Sequence, residues 1–220
     1  MTDLVHAEVN LSPRSKAKRE QIIQAAQTLF LRDGFSRTSM DAIRAKAGVS
    51  KPTLYNHFDC KEDLFIGIIE HSLDDISGTW GLISGKPLAV NSREQLRQIL
   101  SQFGSAAVDH LLAPHTVSLA RTLLAETSTF PELGRTFRDR ITQRVLTMLS
   151  AVLISAHDQG ILSIDREMIP AAVRFFTAQF LSYLLIDGLL VGGLSPEPPT
   201  PEEVATIVDL YLEMICRGEQ

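Results

Sequence analysis

Apolar residues recur with helical spacing along almost the whole chain. Ile22, Ala25, Ala26, Leu29 and Phe30 fall at i, i+3, i+4, i+7 and i+8, which predicts an amphipathic helix over 15–32. Gly34 is suited to end it in the left-handed conformation, with Phe35 folding back onto the apolar stripe. A second, short helix is expected from Thr38 or Ser39, where Thr38 and Asp41 approximate a capping box; Ile43 and Ala47 form its apolar side and Gly48 its end. Ser50 is a good N-cap for a third, with Pro52 in the first turn and Leu54 and Phe58 facing inward. Two short helices joined by a Gly-containing turn form a helix-turn-helix arrangement at about 38–58.

Leu64, Phe65, Ile68, Ile69, Leu73 and Ile76 predict a connecting helix over 62–76, and the glycines and proline of 78–90 predict a break. Further helices are expected at 92–112, 114–127, 131–159, 165–190 and 201–217, with Pro114, Pro131 and Pro201 each in a first turn. No strand-like alternation competes, so the predicted fold class is all-α. The 165–190 helix is apolar nearly all round, carrying Phe175, Phe176, Phe180, Tyr183, Leu184 and Leu185, and such a helix must be covered on every side. A second copy of the chain is the expected cover. Val204, Ile207, Val208, Tyr211, Leu212 and Ile215 on the last helix supply the other half of a four-helix homodimer interface.

Composition and charge then narrow the class. With 45% hydrophobic residues the 220-residue chain can bury a substantial core. The most apolar stretch is broken by Gln179 and Asp187, so no membrane span is expected. Two cysteines far apart in sequence suggest no disulfide framework, and the first residues lack the basic-then-apolar order of a signal peptide; a reduced, cytoplasmic setting is expected. The net charge of −5 is unevenly spread: residues 13–58 hold nine Lys/Arg against three acids, a local +6 that leaves −11 for the remainder. A compact basic segment on an acidic body is the footprint of a polyanion-binding module.

At about 100° per residue from Leu54, Pro52 and Asn56 point away from the core, flanked by Thr53 and Tyr55, with Lys51 and His57 nearer the edges. None of these is acidic, which suits a phosphate-rich partner. The run from Phe35 through Ile43, the run Ala47-Gly48-Val49-Ser50-Lys51-Pro52-Thr53-Leu54-Tyr55-Asn56-His57-Phe58, and Lys61-Glu62-Asp63-Leu64-Phe65 together resemble the DNA-binding domain of TetR/AcrR-family regulators. The resemblance covers 15–76 and implies a helix-turn-helix DNA-binding domain there, followed by an all-helical ligand-binding and dimerisation domain over 77–220. One departure is Arg44, where the family usually has a small residue.

The resemblance implies that Thr38, Ser39, Tyr55, His57 and Lys61 hold phosphates, while Lys51, Pro52, Thr53 and Asn56 approach base edges in the major groove. Lys16, in the first turn of the first helix, and Arg44 would add to the anion-binding surface. A dimer would present two recognition helices about 34–36 Å apart to a palindromic operator on double-stranded DNA. The resemblance also implies a cavity for a small, lipophilic effector, with Phe103, His110, Leu119, Leu123, Phe137, Phe176, Phe180 and Tyr183 as candidate lining residues. A repressor released by such an effector is the expected function. A DNA-binding regulator without a small ligand, controlled by a protein partner or acting as an activator, is the alternative. Arg135, Arg138, Arg140 and Arg144 are expected on a solvated face. No Gly-rich phosphate loop, His-x-x-x-His pair or serine elbow is present, so neither an enzyme nor a metal or cofactor site is expected.

Overall fold

A computed structural model describes residues 12–80, 89–191 and 198–216. Among these the fold is all-α, with no strand beyond an isolated antiparallel bridge between Leu162 and Cys216. The N-terminal helices are α1 (Pro13–Asp33), α2 (Met40–Ala47), α3 (Lys51–Tyr55) and α4 (Lys61–Trp80). The body follows as α5 (Arg93–Leu111), α6 (Pro114–Glu126), α7 (Pro131–Phe137), α8 (Gln143–Asp158), α9 (Ile169–Tyr183) and α10 (Pro201–Ile215).

Side-chain caps set most of the starts. Ser12, Ser39, Ser50 and Ser92 each accept the backbone N–H three residues on, and Thr200 with Glu203 forms a complete capping box. The cap of α2 is thus Ser39 rather than Thr38, because the Thr38 hydroxyl points back into the preceding turn. Gly48 ends α2 at φ 61° and ψ 33°, the left-handed conformation that glycine adopts without strain.

Three of the expected helices differ in the structure. Helix α4 runs through Gly78 to Trp80, so the expected break does not begin there; residues 81–88 lie outside the described residues, as does Arg217. The expected 131–159 helix contains a π-helical turn, Arg138–Thr142, and the 165–190 helix begins as a 3₁₀ turn and finishes as a π-helical stretch, Leu184–Leu190.

Two apolar clusters organise the packing. One is the core of the body, where α5, α8, α9 and α10 meet around Leu100, Leu153, Phe176 and Val208. The other centres on Phe30, Phe35 and Phe65, whose ring centroids lie 5.3–5.6 Å apart, with Phe130 5.5 Å from Phe35. It gathers Ile43, Leu54 and Phe58 from the head and extends into the body through Leu119, Leu123, Leu133 and Ile141. Gly67 lets Phe58 lie against α4, since a Cβ there would sit 2.6 Å from the ring.

Arg166–Leu190 spans 25 residues and contains an 18-residue window of mean hydropathy 1.4, long and apolar enough to cross a membrane by length and composition. Its Ile169, Val173, Phe176 and Phe180 pack into the body core against α5, α8 and α10. Its other side leaves Phe175, Leu181, Leu185, Ile186 and Leu190 exposed, and α10 exposes Leu210 and Met214.

Candidate nucleic-acid interface and body cavity

Only five residues of α3 are helical, and the buried Leu54 fixes its rotation. Lys51, Pro52, Tyr55 and Asn56 are exposed, Tyr55 to 41%, and the Lys51 Nζ lies 5.9 Å from the Tyr55 ring centroid. Thr53 is half-buried and its hydroxyl is 2.7 Å from the Ser50 Oγ. His57 is half-buried; burial, and then the nearby Arg19 charge, hold its imidazole below the ordinary value. Ser39 is exposed, and its oxygen accepts the Ala42 N–H at 3.1 Å, which leaves its own O–H to donate outward. Arg44 is half-exposed, with its Nε 3.5 Å from Asp41 Oδ1, and Lys16 is exposed at the start of α1. Each of these candidate side chains except Pro52 carries a hydrogen-bond donor.

Two residues expected on the anion-binding surface are committed to the fold instead. Thr38 is 4% exposed, and its Oγ1 donates to the Gly34 carbonyl at 2.8 Å while its backbone N–H bonds Phe35. The Lys61 Nζ donates to the Phe35 carbonyl at 2.8 Å and sits 4.3 Å from the Phe35 ring centroid, clamping α4 to the α1–α2 turn. Arg19 is also drawn inward, 4.8 Å over the Phe58 ring.

Arg140 ties the body to α4. It does not lie on a solvated face; its guanidinium, 23% exposed, pairs with Glu70 and Asp63 of α4. Glu70 in turn lies 3.8 Å from Arg19, so one ion-pair network ties the π-helical turn to α4 and α1. Arg135 and Arg138 do pair at the surface, with Glu132 and Asp139.

A cavity of about 250 Å³ lies between α4, α5, α6, the α7–α8 segment and α9. Of the eight lining candidates, Phe103, His110, Leu119, Leu123, Phe137 and Phe180 are on its wall. Phe176 and Tyr183 are not. The Phe176 ring turns into the core, 4.8 Å from the Tyr211 ring, and Tyr183 packs at the core's edge, its hydroxyl held above the usual value by burial and by Glu203 and Asp187. Sequence reasoning missed Ile69, Ser72 and Leu73 of α4 and Ile141 and Thr142 of the π-helical turn. Ile69 and Leu73 belong to an apolar stripe that signals only a connecting helix, Ser72 lies outside that stripe, and a π turn has no signature in 3.6-residue periodicity. His110 and His115 face each other with ring centroids 6.1 Å apart. Among the described residues there is no cluster of three or more metal-ligating side chains.

The helix-turn-helix geometry coincides with a family match. A family model described as "Bacterial regulatory proteins, tetR family" matches residues 22–68, and one described as "AefR-like transcriptional repressor, C-terminal domain" matches residues 98–218, more than half of the chain.

The chain belongs to the TetR family.

It is therefore a DNA-binding transcriptional regulator and not an enzyme. This TetR-family chain is 32% identical to the HTH-type transcriptional activator FasR of Mycolicibacterium smegmatis over 94 residues, 43% of the chain and 42% of FasR. It is also 32% identical to the HTH-type transcriptional repressor KstR2 of Rhodococcus jostii over 84 residues, 38% of the chain and 40% of KstR2. The chain thus matches less than half the length of either relative. Among solved structures, the flavonoid-responsive regulator FrrA superposes with a TM-score of 0.65 at 28% identity, covering 91% of this chain and 98% of FrrA.

Proposed function

We propose that this TetR-family regulator is a cytoplasmic homodimeric repressor that binds a palindromic operator and is released by a small, lipophilic effector. The observation that carries the reading is that Leu119, Leu123 and Ile141 line the cavity and also belong to the apolar cluster of the DNA-binding head. Anything that fills the cavity presses on the side chains that seat the head, so ligand and DNA would compete through one set of contacts. FrrA, described as flavonoid-responsive, is a structural neighbour with a ligand response.

The head over 15–76 would contact phosphates through Lys16, Ser39, Arg44, Tyr55 and His57, and base edges through Lys51, Pro52, Thr53 and Asn56. The exposed apolar side chains of α9, the following π stretch and α10 would pair with their symmetry mates within the 77–220 body, setting the two α3 helices about one DNA turn apart. The description of the matching C-terminal family as a repressor domain, together with KstR2, favours repression. FasR is named as an activator, and that supports a second reading in which the bound regulator recruits transcription.

Gel shifts and a reporter with the chain's own upstream DNA test both. A retarded, salt-sensitive band and higher reporter output on deleting the regulator are expected; lower output on deletion identifies the activator, and no shift at low salt overturns operator binding.

A further inference from the structure

Among the described residues the cavity wall carries no Lys, Arg, Asp or Glu. Of its polar groups, the Ser72 and Thr116 hydroxyls both approach the His115 Nε2, at 3.1 and 3.2 Å, and the Thr177 hydroxyl donates to the Val173 and Arg174 carbonyls. No protein hydrogen bond takes up the ring nitrogens of His110 or the hydroxyl of Thr142 among the described residues.

We infer that His110 selects the occupant: an uncharged, mostly apolar molecule carrying one hydroxyl, a phenol or alcohol, hydrogen-bonded to the imidazole of His110. The inference rests on the cavity being the effector site. A neutral imidazole offers one donor and one acceptor, and a hydroxyl matches both, whichever tautomer is present. Burial, and then the neighbouring His115, push the His110 pKa down to about 4, so the ring is uncharged at neutral pH. A carboxylate would enter an apolar cavity with no Lys or Arg among its described lining residues, and desolvation would oppose binding. An apolar molecule without a hydroxyl would leave the imidazole unpaired once water is displaced. The volume of about 250 Å³ lies below the roughly 300–1,000 Å³ of drug-sized sites, which points to a single substituted ring.

Three near-isosteric probes test this on the full chain by titration calorimetry at neutral pH: 4-propylphenol, propylbenzene and 4-propylbenzoate. The phenol is expected to bind about five- to tenfold more tightly than propylbenzene and at least about tenfold more tightly than the benzoate. In His110→Leu the phenol and propylbenzene should bind alike, and His110→Asn should restore part of the preference; continued binding of propylbenzene shows that the cavity is intact. Benzoate binding as tightly as phenol, an unchanged phenol-to-propylbenzene ratio in the folded variants, or binding of none of the three overturns the inference. Operator release by the same probes is scored separately. Phenol that binds through His110 and leaves the operator complex intact sinks the effector reading while this inference stands.

Discussion

The head and the body solve different problems with the same element. The head must hold a five-residue helix rigid, and does so by surrounding it with caps, a left-handed glycine and an aromatic cluster in which Phe35 touches Phe30, Phe65 and Phe130. The body tolerates an opening of about 250 Å³ and two π-helical segments at or beside it. Close packing without voids suits a part that positions side chains against DNA. A cavity bordered by irregular helix suits a part that changes packing when filled. The contrast places rigidity where register is read and slack where a ligand would be sensed.

The largest effect should come from breaking the rigid side. Phe35→Ala removes the ring that joins α1, α4 and the Phe130 corner and receives the Lys61 ammonium, so a loss of about 3–5 kcal/mol in stability is expected. Denaturant unfolding followed by circular dichroism measures it, and a loss below about 1 kcal/mol would mean that the head is not organised by this ring. Next comes the joint between the two parts. Arg140→Ala takes the guanidinium from Asp63 and Glu70 and leaves Glu70 only the 3.8 Å approach of Arg19, and about 1–3 kcal/mol is expected after allowing for partial exposure. Arg135→Ala, whose partner is a surface glutamate, should leave the unfolding midpoint unchanged. Equal effects would dissolve the distinction between joint and surface.

What could be read in the sequence follows the same divide. The helices of the head are specified locally, by Ser39, Ser50, Pro52 and Gly48 within a few residues of the ends they control, so their order and rotation were legible. The roles of Thr38 and Lys61 were not, because a hydroxyl or ammonium in the motif serves a backbone carbonyl as readily as a phosphate; only the closing of the turn over Phe35 decides. In the body, the apolar positions that line a cavity and those that fill a core share one periodicity. Phe176 and Phe180 are four residues apart on α9, yet one meets Tyr211 and the other the cavity. The Arg140 network joins partners 70 and 77 residues distant, a separation no local pattern encodes.

Acid probes the slack side. His110 in the folded chain titrates near 4, against about 6.5 when unfolded, so between those values the unfolded chain binds the proton more strongly. Stability should therefore be full above about pH 6.5 and fall as the pH drops toward 4. The group facing His110 is the ring of His115, and among the described residues no acid, lysine or arginine lines the cavity. His110→Leu should flatten this part of the melting-temperature profile. A profile with the same slope in the variant would assign the acid sensitivity elsewhere.

The smallest effects separate positioning from contact within the head itself. Thr38→Val keeps the shape of the side chain but removes the hydroxyl that holds Gly34, and about 1 kcal/mol of stability should be lost. Because that hydroxyl is buried, the salt dependence of operator binding should not change. Lys51→Ala should do the reverse, leaving the melting temperature alone while lowering operator affinity. If the Lys51 ammonium meets a phosphate, the slope of log affinity against log salt drops by about 0.9 for each head; if it meets a base edge, affinity falls on the cognate operator and little on unrelated DNA. Salt titrations on both DNAs distinguish the two roles. A salt slope altered by Thr38→Val would return that residue to the contact surface, and would show that the turn at Phe35 opens when the head binds.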